Sequence, residues 1–89
     1  MTKPARLTRA GLQKWLDAQP PLERVNPDDA CCCILAQHYG KEMYNFISFD
    51  DGEWVPEWAV RFQKLAMRAR RKGTISWRTA ARLLREMGR

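Results

Sequence analysis

With 89 residues, 45% of them hydrophobic, the chain has material for one domain core and none for a second. Its formal charge of +6 points toward anionic partners. The longest apolar run, Ala30 to Ala36, falls far short of the roughly 20 residues that span a bilayer, which excludes a membrane-spanning role.

The first residues, MTKPARLTRAGLQKW, contain no apolar segment of the secretory kind, so a cytoplasmic setting is expected. Residues 1–7 read as a flexible basic arm. Thr8 is placed to cap a first helix, with Leu7 and Leu12 as a hydrophobic staple and Leu12, Trp15 and Leu16 as its buried stripe. Pro20 and Pro21 end that helix, and the linker offers Leu22 and Val25 as anchors. Asn26 to Gly40 then reads as a central helix, apolar on nearly every side. Asn26 is its N-cap, Pro27 its first position, Asp28 and Asp29 complement its dipole, and Gly40 makes a left-handed stop.

Lys41 to Phe49 alternates as a strand, with Met43, Asn45, Ile47 and Phe49 on one face and Tyr44, Phe46 and Ser48 on the other. Asp50, Asp51 and Gly52 make a turn, and Glu53, Trp54 and Val55 return as a partner strand. Pro56 opens a third helix running to Lys72 and stopping at Gly73, with Trp58, Phe62, Leu65 and Ala69 as its core face and Val60 and Met67 on the far edge. Ser76 caps a fourth helix whose apolar side gathers Trp77, Ala80, Ala81, Leu84 and Met87. The expected fold is mainly α (α+β): one compact four-helix domain over residues 1–89 with one small β-hairpin. The central helix is enclosed by the others and the four tryptophans seal its margins.

Cys31, Cys32 and Cys33 are adjacent and odd in number, which argues for reduced thiols. They read as small buried hydrophobes, or in the case of Cys31 as a thiol activated by a helix N-terminus. Cys31 and His38 would share a helix side about 10 Å apart, too far for one metal. The run Asp50–Glu53 lacks the alternating carboxylates and terminal Glu of a calcium loop. With one His and no nucleophile elbow, P-loop or zinc-protease motif, no catalytic residues, metal or cofactor are expected.

The strongest pattern is the sorting of charge. Arg61 to Arg89 holds ten basic residues against Glu86, whereas Asp17 to Glu57 holds nine acids against Arg24 and Lys41. On the third helix Arg61, Lys64, Arg68 and Arg71 fall within about 80° of arc, and on the fourth Arg78, Arg82, Arg85 and Arg89 within about 60°. Two such stripes without balancing acids suggest a surface for phosphates or for an acidic protein. The third helix, the short turn from Gly73 to Ile75 and ISWRTAARLLREMG together resemble a helix-turn-helix, WRTAARLL looking like its first helix. Because the fourth helix has neither Asn nor Gln, base readout would rest on arginines, which serve phosphates as readily as guanines. The opposite constellation is acidic: Glu23, Asp28, Asp29, Asp50, Asp51, Glu53 and Glu57, of which Asp28 and Asp29 are also explicable as dipole partners and Asp50 to Glu53 as a turn. Assembled on one face, they could occupy a nucleic-acid groove on another protein.

In size, polarised charge and absence of catalytic motifs the chain resembles small phage and mobile-element accessory proteins, including the anti-CRISPR inhibitors. That resemblance implies a non-enzymatic inhibitor docking on a host protein or protein–nucleic acid complex in a bacterial cytoplasm, as monomer or homodimer. The alternative is a direct nucleic-acid binder using the arginine stripes.

Overall fold

Four helices and a two-stranded antiparallel ladder make up a mainly α fold: α1 Arg9–Asp17, β1 Arg24–Val25, α2 Ile34–Tyr39, α3 Glu57–Ala69, β2 Ile75–Ser76 and α4 Trp77–Met87. The structure, a computed structural model, describes residues 8–29, 32–44, 48, 49 and 51–87. Thr8 caps α1, its Oγ1 accepting the Gly11 N–H at 3.0 Å; Leu7, the other half of the expected staple, lies outside the described residues. Ser76 caps α4, its Oγ accepting the Thr79 N–H at 3.2 Å. Trp77, Ala80, Ala81 and Leu84 are buried on the face expected of them. Helix α4 packs against both α1 and α3. Side chains fasten the first of these contacts: Arg9 Nη2 donates to the Leu84 carbonyl at 3.2 Å and Gln13 Nε2 to that of Ala81 at 3.1 Å.

The ladder is formed over a long sequence distance, with Arg24 opposite Ser76 and Val25 opposite Ile75. It therefore ties the linker to the entrance of α4. Val25 is buried as an anchor should be, whereas Leu22 is 79% exposed.

The central helix is much shorter than expected. Asn26 uses its Oδ1 to accept the Asp28 N–H at 2.9 Å, a local turn that competes with helix. The Asp29 carbonyl then closes a single turn onto Cys33 N–H at 2.8 Å, and α2 begins only at Ile34. Its residues Ile34, Leu35, Ala36 and Tyr39 are buried, so the helix is enclosed as its composition requires, and Gly40 ends it at φ 82°. Cys33 is a free buried thiol, its Sγ 3.3 Å from Met43 Sδ and its pKa pushed up by burial. Cys32 is disulfide-bonded, contrary to the expectation of reduced thiols. Cys31 lies outside the described residues.

The expected strand at 41–49 doubles back instead. Met43 bridges Phe49, Ser48 bridges Trp54, and the Phe49 N–H donates to the Glu53 carbonyl at 2.8 Å. Met43 and Phe49 face the core, and Phe49 stacks on Tyr39 with ring centroids 4.6 Å apart. Asn45, Phe46, Ile47 and Asp50 lie outside the described residues.

Helix α3 is turned relative to its expected face. Ala59, Phe62, Gln63 and Ala66 are buried, while Trp58, Leu65 and Ala69 are only partly so. Small residues sit at the closest approach, and Gln63 is drawn inward because its Nε2 donates to the buried Pro27 carbonyl. The helix is preceded by Pro56 as N-cap and ends at Ala69, three residues early. Of the tryptophans expected to seal the core, Trp15, Trp58 and Trp77 do so and Trp54 is 72% exposed.

His38 stands against Trp15 with ring centroids 5.1 Å apart, and Trp15 meets Trp77 edge-on at 5.3 Å. The buried His38 Nδ1 has no partner among the described residues, and burial pushes the imidazole pKa below its ordinary 6.5. The fold thus prefers neutral His38. As pH falls through about 6.5 the unfolded chain takes up a proton that the folded chain resists, so stability drops from there until the lower folded pKa is reached. Melting temperatures across that window should fall in the parent protein, and by less in His38→Gln.

Candidate functional site

The arginines of the C-terminal half meet a residue from the acid-rich half at one concavity. Arg24, Arg68, Arg70, Arg71 and Arg82 line a cleft of about 540 Å³, with Ser76 and Thr79 beside them and Ala69 and Ile75 as apolar lining. A neighbouring concavity lined by Arg78, Thr79, Arg82 and Arg85 shares two of these residues and extends the basic surface along α4.

Local backbone chemistry explains the gathering. Because α3 stops at Ala69, Arg70 is extended at φ −64° and ψ 144°. Lys72 and Gly73 follow with φ of 54° and 85°, the two positive values of a type I′ turn. Arg71 and Thr74 close it with reciprocal backbone bonds of 2.7 and 3.1 Å. The chain thereby reverses and enters β2, whose pairing with β1 sets Arg24 opposite Ser76.

Arg24 is held in place without losing its charge. Its Nε donates to Thr74 Oγ1 at 2.7 Å and its Nη2 to the Thr74 carbonyl at 2.9 Å. A longer bond of 3.5 Å reaches the Arg71 carbonyl. All three acceptors are neutral, and among the described residues nothing engages the Nη1 protons, which stay available to a ligand. The first amides of α4 are occupied: Trp77 N–H donates to the Glu23 carbonyl at 3.0 Å and Arg78 N–H to that of Pro21 at 3.1 Å. An anion in the cleft would therefore be met by guanidinium groups and by the one hydroxyl proton left free by the 2.9 Å hydrogen bond between Ser76 and Thr79.

Carboxylates touch this surface at two of its arginines, one of them, Arg70, a lining residue of the main cleft. Asp28 pairs with Arg70 at 3.4 Å and Asp17 with Arg85 at 3.0 Å. Among the described residues Arg24, Arg68, Arg71, Arg78 and Arg82 have no ion-pair partner. Of the two stripes read from the sequence, Arg68, Arg71 and Arg82 share the main cleft and Arg78 and Arg85 adjoin it. Arg61 and Lys64 are exposed on α3 but line neither concavity, and Arg89 lies outside the described residues. Arg24 and Arg70 escaped the sequence reading. The first sits among acids and reaches the site through a ladder that joins distant segments, and the second is off the stripe until the helix is known to stop before it.

The acidic candidates are spent largely on internal contacts. Lys41 pairs with Asp51 and, at 3.0 Å, with Glu53, while Tyr39 donates its hydroxyl to Glu53 at 2.8 Å. These bonds hold the Asp51 and Glu53 carboxyls below their usual pKa: the Lys41 bond is the main cause for Asp51, and the Tyr39 bond, then Lys41, for Glu53. Asp28 is drawn to Arg70, Asp29 is half-buried, Glu57 is exposed in the first turn of α3, and Asp50 lies outside the described residues.

No family model, curated protein or solved structure matches this chain. Among the described residues no three His, Cys, Asp or Glu side chains are grouped to hold a metal, and no helix is long and apolar enough to cross a membrane.

Proposed function

We propose that the protein is a non-enzymatic binder of nucleic acid, bare or within a nucleoprotein assembly, whose arginine-lined cleft grips the phosphate backbone. One observation carries the reading: Arg24, Arg68, Arg71 and Arg82 line a single concavity with no carboxylate paired to any of them among the described residues. Uncompensated guanidinium groups at close quarters repel one another, and an anion relieves that repulsion while satisfying their donors. Phosphodiesters fit because the guanidinium fork matches two phosphate oxygens, and a row of such groups matches the regular spacing of a backbone. The flanking Ser76 and Thr79 hydroxyls, bonded to each other, leave one proton as a neutral donor of the kind that contacts phosphates. With no Asn or Gln in α4, the contact is expected to be indifferent to base sequence. Inhibition of a host nucleoprotein complex, the activity implied by the anti-CRISPR resemblance, would run through the same arginines.

Titration of the protein with duplex DNA of arbitrary sequence over a salt series tests this reading. Four neutralised phosphates predict that log K falls by about 3.6 per log unit of salt, from about 0.9 for each. A second duplex of unrelated sequence should bind equally. Absence of binding at low salt, or binding indifferent to salt, would refute the proposal.

A further inference from the structure

A second surface, separate from the cleft, is built from two exposed aromatic side chains: Tyr44 is 78% and Trp54 72% exposed. Their placement follows from strand register. Met43 bridges Phe49 and both point into the core, so Tyr44 and Ser48, one residue along on each strand, stand on the outward side. Tyr44 N–H donates to the Ser48 carbonyl at 2.9 Å, and Ser48 in turn bridges Trp54. The two aromatic residues therefore flank Ser48 across three adjacent strand segments, with backbones about 10 Å apart. A flat cation lying between them would be within about 6 Å of both rings.

The charge around these rings selects the ligand. Among the described residues from Lys41 to Glu57 there are four acids, Glu42, Asp51, Glu53 and Glu57, and one base, and Lys41 is already committed to Asp51 and Glu53. Glu42 and Glu57 are exposed and take part in no ion pair among the described residues. Such a rim repels phosphates and attracts cations. We propose that this face docks an arginine-bearing segment of another protein, a guanidinium stacking against Trp54 and Tyr44 while its donors meet Glu42 and neighbouring carboxylates. Arginine suits both demands because it stacks flat on aromatic rings and pairs with carboxylates bidentately. With nucleic acid held in the cleft, the molecule would present opposite chemistries to the two components of a nucleoprotein. The docking face rests on its own residues and stands or falls separately from the cleft.

The test is a titration of the full-length protein at low salt with labelled dodecapeptides alternating serine with arginine, lysine or the neutral isostere citrulline. The arginine peptide should bind more tightly than the lysine one, and the citrulline peptide should not bind. Trp54→Ala and Tyr44→Ala, at exposed positions, should each weaken the arginine peptide about fivefold and leave the melting temperature and duplex DNA binding unchanged. Equal binding of arginine and lysine peptides, or an arginine affinity untouched by both substitutions, would overturn the proposal. So would loss of single-stranded oligonucleotide binding in Trp54→Ala, which would make the face a base-stacking platform. Concentration-dependent self-association abolished by Trp54→Ala would assign the face to a second copy and overturn it equally.

Discussion

Replacing Arg68 and Arg82 together by alanine is expected to weaken duplex DNA binding about a hundredfold, since each charged hydrogen bond lost is worth roughly 1.5 kcal/mol or more. The salt dependence should become shallower by about 1.8 log units per log unit, about 0.9 for each phosphate no longer neutralised. Both side chains are exposed at the cleft and neither is in an ion pair among the described residues, so thermal stability should change little. The informative comparison is Arg61→Ala with Lys64→Ala. Those residues belong to the same helical stripe as Arg68 but lie outside the cleft, and their loss should alter affinity by no more than a few-fold through diffuse attraction. Filter binding or fluorescence anisotropy at two salt concentrations distinguishes the pairs. Equal losses would mean that net charge, not the concavity, governs binding.

Phe62→Ala should destabilise the fold by about 3–5 kcal/mol, whereas Leu65→Ala should cost about 1–2 kcal/mol because Leu65 keeps part of its surface in water and stands outside the core cluster. Periodicity alone puts both residues on one buried face of α3. In the structure Phe62 is fully buried and Leu65 is at the margin. The inward face is drawn by Ala59 and Ala66, which permit close approach, and by Gln63, which answers the Pro27 carbonyl. Denaturant melts of the two variants measure the difference directly. Similar costs would place the helix in the orientation the large apolar residues suggest.

What could be read in advance, and what could not, follows the range of the interactions involved. The caps at Thr8 and Ser76, the stop at Gly40 and the apolar face of α4 are set by residues within one turn of each other, and all four are present in the structure. Helix α2 starts later than its composition suggests because Asn26 has two local uses, cap and turn, and the turn prevails. The early end of α3 depends on the left-handed Lys72, a position where a non-glycine residue is uncommon and which only the following ladder makes worthwhile. The site was half legible for the same reason. Arg68, Arg71, Arg78, Arg82 and Arg85 announce themselves as stripes, but helical spacing also promoted Arg61 and Lys64, which stand apart from the cleft, and gave no hint of Arg24. The acidic set looked free on the linear map, and Lys41, Tyr39 and Arg70 turn out to engage Asp51, Glu53 and Asp28.

Backbone and arginine Nε–H chemical shifts, followed by NMR as duplex DNA is titrated into the isotopically labelled protein, address most directly whether the guanidinium-lined hollow is where phosphates bind. The largest changes should fall on Arg24, on Arg68 to Arg71 and on Thr74 to Arg82, with residues 41–44 and 51–57 unmoved. Changes spread evenly over every exposed cation, or concentrated on Arg61 and Lys64, would contradict it.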